Sequence, residues 1–171
     1  NNIQVISHHF SNHKIEGLTV TDNLGTSFSY EQENPVSKRH FTLCHELGHF
    51  ILKHDGSYFT ELVDNQESIL EREANVFSAI VLMPDIVLLS KIYYACESFQ
   101  KVKEDLEVSK QALYFRLIDL LRINQMDAES AIKQAVDEYI GGQNASLHHY
   151  FHQLKEILIE EYNQYQPSLI A

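Results

Sequence analysis

The chain has 171 residues, a formal net charge of −11 at pH 7 and two cysteines. This length suits one domain with a substantial core, and the acidic balance argues against a protein that binds nucleic acid through a basic surface. The sequence has no apolar run of membrane-spanning length, no opening signal-peptide pattern and no disulfide framework, so we predict a cytoplasmic protein without a membrane partner.

The first 31 residues carry β-strand patterns. Residues 3–6 form a short apolar run, and residues 18–21 and 27–30 are rich in β-forming residue types. Turn-forming residues at 22–25 separate the second and third runs, which predicts a hairpin. We therefore expect a small antiparallel sheet at the N-terminal end.

Helical patterns occupy the remainder of the chain. They predict helices at about 37–53, from a cap at Asp64 or Asn65 to 83, and at 85–95, 98–106, 109–122, 128–139 and 146–165. Residues 55–66 are predicted to form a loop that connects the first two of these helices and borders the cleft beside them. One apolar stripe follows the last helix, at Leu147, Phe151, Leu154, Leu158 and Tyr162. The fold class is therefore α+β, with the sheet packed on a predominantly helical domain.

The most informative motif is His45-Glu46-Leu47-Gly48-His49, which has the spacing H-E-x-x-H. Residues four apart on a helix lie on one face, so the two imidazoles can bind one ion while Glu46 lies close enough to activate a water. This is the ligand pair and base of zinc peptidases. Because a solvated helix can also carry this pattern, the interpretation needs a second signal.

The second signal concerns the third ligand, since a catalytic zinc has three from the protein. Glu71 and Glu73 are candidates on the next helix, but they lie about 200° apart around its axis and cannot both face the ion. Asn75 shares a face with Glu71, where it could hold a ligand histidine. We favour Glu71 and keep Glu73 as the alternative.

Together these motifs resemble the ImmA/IrrE metallopeptidases, over roughly residues 15–123. The resemblance implies a zincin-like, gluzincin-type fold that binds Zn²⁺ through His45, His49 and Glu71, with Glu46 as general base. It also implies more helix before the first strand, so we expect a further N-terminal portion. The residues that carry it are Arg39 to His49, Glu71, Ala74, Asn75, Phe77, Leu82-Met83-Pro84, Val108-Ser109, Ala112-Leu113 and Arg116-Leu117.

By the same resemblance, the expected activity is site-specific endoproteolysis of a helix-turn-helix (XRE-type) transcriptional repressor in a stress, prophage or mobile-element response. The acidic chain would attract such a basic partner. The native metal is open, since this donor set also accepts manganese, iron or cobalt. The donor that stabilises the oxyanion is also open, the candidates being His40, His54, Tyr58, Tyr114 and Arg116. His54 could instead orient a ligand or cap the helix.

We predict a peptidase core at 1–96, a helix-turn-helix-like pair packed on it at 97–123, and a C-terminal helical extension at 124–171. The helix pair raises an alternative function, a catalytically latent metal-binding regulator or a DNA-binding module. Acidic residues surround Lys110 and Arg116, so we expect no direct binding of nucleic acid and favour a docking surface for the repressor. The oligomeric state is left open.

Overall fold

A computed structural model of the chain describes residues 3–10, 15–54, 58–62, 68–124 and 127–165. It contains two compact units, Asn1–Leu82 and Met83–Ala171. In the residues that the structure describes, the first unit combines a β-sheet with two helices, and the second unit is helical. The predicted α+β class is therefore confirmed. The functional division predicted at residues 96 and 123 stays a prediction.

The described part of the first unit contributes four strands to its sheet. They are β1 (Ile3–His8), β2 (Ile15–Asp22), β3 (Gly25–Glu31) and β4 (Tyr58–Leu62), in the order β1-β3-β2-β4. Strands β2 and β3 form the predicted hairpin, whose turn is closed by a 2.7 Å hydrogen bond from the Leu24 N–H to Asp22 Oδ1.

Two details of the predicted sheet are wrong. The sheet is mixed and not fully antiparallel, because β1 lies on the β3 side of the hairpin and pairs with β3 in parallel. The predicted loop at 55–66 contains a strand, because β4 pairs antiparallel with β2 and completes that side of the sheet. Its Tyr58, Phe59 and Thr60 are strand-forming residue types, a local signal that the loop prediction overlooked.

Helix α1 (Val36–Leu52) packs on one face of the sheet. Thr19 and Phe28 face each other across β2 and β3 and are buried, and the Phe28 ring meets the Phe50 ring edge-on at 5.8 Å. The helix ends where Lys53 adopts the left-handed conformation, with φ of 56°. The His54 N–H then donates to the His49 carbonyl at 3.1 Å, so the chain turns back on the last helical turn.

Helix α2 (Ile69–Leu82) packs against α1. It begins later than predicted, and the Glu71 N–H donates to the Ser68 hydroxyl at 3.1 Å. The predicted caps, Asp64 and Asn65, lie outside the described residues. The two helices approach closely at Gly48, where an added Cβ would lie 3.1 Å from the Phe77 ring and 3.2 Å from the Ala74 Cα.

The second unit contains the helices predicted for residues 85–165, with limits shifted by a few residues. The predicted helix at 85–95 divides into α3 and a π-helical turn, in which the Ala95 N–H donates to the Ser90 carbonyl five residues back at 2.9 Å. The elements are α3 (Asp85–Leu88), the π-helix (Leu89–Tyr94), α4 (Phe99–Asp105), α5 (Lys110–Asn124), α6 (Glu129–Ile140) and α7 (Ala145–Tyr165).

The core of the second unit includes most of the apolar stripe predicted for α7. Leu147, Phe151, Leu154 and Leu158 are all buried, whereas Tyr162 is 42% exposed and does not continue the stripe. A tyrosine tolerates such a position because its hydroxyl end can be hydrated.

No single helix in the described part of the chain is both long and apolar enough to cross a membrane. The consecutive segments Ile69–Leu82 and Asp85–Tyr94 meet that length and composition only when taken together across the break between them.

Candidate metal centre

The side chains of two histidines of α1 point into the same buried region of the first unit. His45 and His49 are 1% and 2% exposed, and their Nε2 atoms lie 3.0 Å apart. Their spacing of four residues produces this arrangement, since it returns the second side chain to the same helix face one turn later. The structure therefore brings together the pair that the H-E-x-x-H motif predicts.

Glu71 of α2 joins this pair, and Glu73 does not. The Glu71 carboxylate lies 2.9 Å from His45 Nε2 through Oε2 and 3.4 Å from His49 Nε2 through Oε1. Glu73 instead lies 3.0 Å from His54 Nε2, and its side chain is 54% exposed. The two glutamates point in different directions, as the helical angle between them requires. The geometry therefore favours Glu71 as the third donor.

Each histidine of the pair contacts a partner through its other ring nitrogen. His45 Nδ1 lies 3.0 Å from Asn75 Oδ1, the contact expected for an asparagine on the Glu71 face. His49 Nδ1 lies 2.8 Å from Nδ1 of His54. Because an amide oxygen can only accept, His45 carries its proton on Nδ1 and directs the Nε2 lone pair towards Glu71.

Burial keeps both histidines neutral at physiological pH. It lowers the pKa of His45 and of His49 from 6.5 to about 4, and for His49 the neighbouring His45 adds to the effect. A neutral imidazole is the form that ligates a metal, since its unprotonated nitrogen supplies a lone pair.

The donor set fits a divalent metal ion. Nitrogen and carboxylate oxygen atoms from His45, His49 and Glu71 all lie within 4.8 Å of one another. Ligands of a tetrahedral zinc with bonds of about 2.0–2.1 Å lie about 3.3 Å apart, close to the separations found here. Electron-rich atoms held this near repel one another unless a cation lies among them, and the low pKa values disfavour a proton in that role.

Glu46 is held by the sheet. Its side chain is completely buried, and the Thr19 hydroxyl of β2 donates to its Oε2 at 2.5 Å. Gly17 lies beside it, where an added Cβ would approach Glu46 Oε1 to 2.9 Å and Thr42 Cγ2 to 2.4 Å. Neither Thr19 nor Gly17 was predicted as part of the site from the sequence. Their shared strand face follows from the two-residue alternation of β2, but no local signal relates that face to Glu46.

Two of the sequence candidates for an oxyanion donor have other contacts. His54 contacts His49 and Glu73. The buried Arg116 donates through Nε to the Met83 carbonyl at 3.2 Å and forms an ion pair with Asp85, which joins α5 to the start of α3. The Tyr58 side chain lies outside the described part of the structure. His40 and Tyr114 stay candidates on the grounds of sequence.

A second group of potential ligands, His9, Glu31 and Glu33, has a structural explanation. The Glu31 carboxylate accepts backbone N–H bonds from Phe10 at 2.7 Å and from Glu33 at 3.1 Å, which secures the end of β3. These bonds from Glu33 and Phe10 lower the pKa of Glu31. The group therefore does not compete with the α1–α2 cluster as a candidate centre.

The comparison with protein families agrees with this geometry. The profile of peptidase family M78, described as the IrrE N-terminal-like domain, matches residues 1–118 and includes both helices of the cluster. The comparison with curated proteins gave no match. Because the profile covers more than half of the chain, the protein belongs to the IrrE N-terminal-like family of metallopeptidases.

Proposed function

We propose that this protein is a zinc-dependent endopeptidase in which His45, His49 and Glu71 bind the metal and Glu46 is the general base. The convergence of one carboxylate and two neutral imidazoles from α1 and α2 carries this proposal. Two further observations support it: the adjacent Glu46 is a buried carboxylate in a fixed orientation, and the chain belongs to a metallopeptidase family.

The roles of the residues follow from their chemistry. A bound zinc supplies Lewis-acid activation of the attacking water and of the scissile carbonyl. Glu46 accepts the proton of that water and delivers it to the leaving amine, the usual task of a general base that later acts as an acid. Thr19 orients the Glu46 carboxylate through their hydrogen bond, and Asn75 orients His45.

The substrate that we propose is a helix-turn-helix repressor of the XRE type, as the resemblance implies. The net charge of −11 supports a basic protein partner, because opposite charges accelerate association. The α4–α5 helix pair offers a docking surface whose charges favour protein over DNA. Asp105 of α4 accepts from Lys91 of the preceding π-helix at 2.7 Å and pairs with Lys101 of α4, so these two cations are already neutralised.

Metal content tests the metal site first. Purified protein, reconstituted with zinc and desalted, is expected to retain about one zinc per chain, because a catalytic site holds one ion through three protein ligands. The Glu46→Gln variant should keep the metal, because this residue is the base, and Glu71→Ala should lose it. Wild-type protein that binds no zinc after reconstitution would overturn the proposal.

Cleavage is the second test. Wild-type protein and the Glu46→Gln variant are incubated with purified repressors encoded near the gene, and the products are identified by mass spectrometry. The proposal expects one cleavage site with the wild type, slowed by about 10²–10⁴-fold in the variant. Stoichiometric zinc without cleavage of any repressor, or of an unfolded protein substrate, would favour the alternative of a catalytically latent metal-binding regulator.

A further inference from the structure

A chain of three side chains leads from the candidate metal centre to the protein surface. Glu73 Oε2 lies 3.0 Å from His54 Nε2, and His54 Nδ1 lies 2.8 Å from His49 Nδ1. His54 is 8% exposed and its ring meets that of His49 at 75°, with centroids 4.9 Å apart. Neither His54 nor Glu73 belongs to the sequence motifs that carry the family resemblance.

The Glu73 carboxylate, at the exposed end of this series of contacts, determines which atom donates the proton in each contact. An ionised Glu73 can only accept, so His54 donates to it from Nε2–H. A neutral His54 then has a lone pair on Nδ1, which must accept from the Nδ1–H of His49. His49 is thereby left with an unprotonated Nε2, the atom that faces His45 and Glu71.

Local backbone structure places His54 in this chain of contacts. The left-handed Lys53 ends α1 and reverses the chain, and the His54 N–H donates to the carbonyl of His49 itself. Glu73 reaches His54 from α2, two residues beyond Glu71. The helix that carries the third donor of the cluster therefore also carries the outer end of the contact chain.

We propose that His54 and Glu73 are positioning residues that hold His49 in its metal-binding tautomer. This inference rests on the proposed function, because it takes His49 as a ligand. Without the pair, the acceptors that face His49 Nε2, His45 Nε2 at 3.0 Å and Glu71 Oε1 at 3.4 Å, would draw the ring proton to the nitrogen that must be free. Partners of this kind typically contribute about 10–100-fold to metal affinity.

The two histidines of the centre are held by different means. His45 donates to the neutral amide of Asn75, whereas His49 depends on a histidine–carboxylate pair whose outer member is exposed. Variants of His54 or Glu73 are therefore expected to act on His49 and leave His45 unchanged, which provides an internal control.

The tautomer can be read directly in metal-free protein from the ¹⁵N shifts of labelled histidines. In the wild type His49 should be protonated on Nδ1. In Glu73→Ala and in His54→Phe, which offers no acceptor, the proton should move towards Nε2, while His45 keeps its Nδ1 proton. His54→Gln should restore the wild-type pattern, because its side-chain oxygen can accept from His49. An unchanged His49 tautomer in both disrupting variants would overturn the proposal.

Zinc affinity, measured by competition with a chromophoric chelator, is the second readout. Glu73→Ala and His54→Phe should bind zinc about 10–100-fold more weakly than the wild type. The matched control is Glu156→Gln, which removes a carboxylate that is 81% exposed in the second unit. Because Glu73 is exposed, its variant remains informative even if His54→Phe fails to fold. A changed tautomer with unchanged affinity would overturn the role assigned to the pair.

The same measurements separate this inference from the proposed function. If the wild type binds no zinc, the proposed metal site fails, and the tautomer experiment still decides whether the histidine–carboxylate pair controls His49. If zinc binds and depends on Glu71, but neither readout responds to Glu73→Ala or His54→Phe, the metal site stands and the positioning role is overturned.

Discussion

The Thr19 hydroxyl donates to Glu46 Oε2 at 2.5 Å, so a strand of the sheet orients the carboxylate that the helix carries. The two residues are 27 positions apart and both are buried. A general base must meet its proton at a defined angle and distance, and this hydrogen bond fixes the position of one oxygen of the Glu46 carboxylate. The sheet of the first unit therefore orients Glu46, the residue that we propose as the general base.

Replacement of Thr19 by valine tests that contact, since valine has the same shape without the hydroxyl. We expect the free energy of unfolding to fall by about 1.5–3 kcal/mol, the range for a hydrogen bond to a charged group. Zinc should remain bound while the turnover number for cleavage falls. Thr19→Ser, which keeps a donor, should restore most of the rate. Equal rates for valine and wild type would show that Thr19 does not orient Glu46.

Replacement of Gly17 by alanine tests the close approach of β2 to α1. The new Cβ would lie 2.4 Å from Thr42 Cγ2, so we expect a loss of about 1–3 kcal/mol in the free energy of unfolding, as for other overpacked sites. A double-mutant cycle with Thr42→Ala, which removes the clashing methyl, should recover part of the loss. Strict additivity of the two single effects would contradict the predicted contact.

A graded series at Gly48 tests how closely α1 and α2 must pack. Gly48→Ala should be nearly neutral, because the gain in helix propensity of about 1 kcal/mol offsets contacts that are tight by only a few tenths of an ångström. Gly48→Leu should separate the helices, cost about 1–3 kcal/mol in unfolding free energy, and weaken zinc binding by moving Glu71. Unchanged zinc affinity in Gly48→Leu would show that Glu71 does not depend on this approach.

Tyr139 provides a test confined to the second unit. Its side chain is 1% exposed, and its hydroxyl donates to the Glu97 carbonyl at 2.7 Å. Tyr139→Phe should lower the free energy of unfolding by about 0.5–1.5 kcal/mol in chemical denaturation, the usual net contribution of such a bond. Tyr94→Phe, at a position 60% exposed, is the control and should have little effect. Equal effects of the two substitutions would argue against the Glu97 bond.

The two cysteines should differ in their rates of alkylation. Burial raises the pKa of the Cys44 thiol, which reduces its thiolate fraction at mildly alkaline pH, whereas Cys96 is exposed. Because the thiolate is the nucleophile, iodoacetamide should modify Cys96 first. Peptide mapping of timed samples measures both rates, and a Cys96→Ser variant should show the slow reaction alone. Faster reaction at Cys44 would contradict its partial burial.

The sequence alone determined the features that repeat along contiguous residues. The four-residue spacing of His45 and His49 places them on one face of any helix, and the two-residue spacing of Glu71 and Glu73 separates those side chains around another. The α7 core positions from Leu147 to Leu158 follow from the same period. These predictions succeeded because helix geometry converts sequence distance into direction without knowledge of any other element.

The tertiary structure alone decided which elements meet. The parallel pairing of β1 with β3, the addition of β4 to β2, the contact of Thr19 with Glu46 and the return of His54 to His49 and Glu73 each depend on register, a left-handed residue or close helix packing. Such contacts join residues up to tens of positions apart. Their physical cause lies in the packing of surfaces that no local periodicity encodes, which is why these contacts were visible only in the fold.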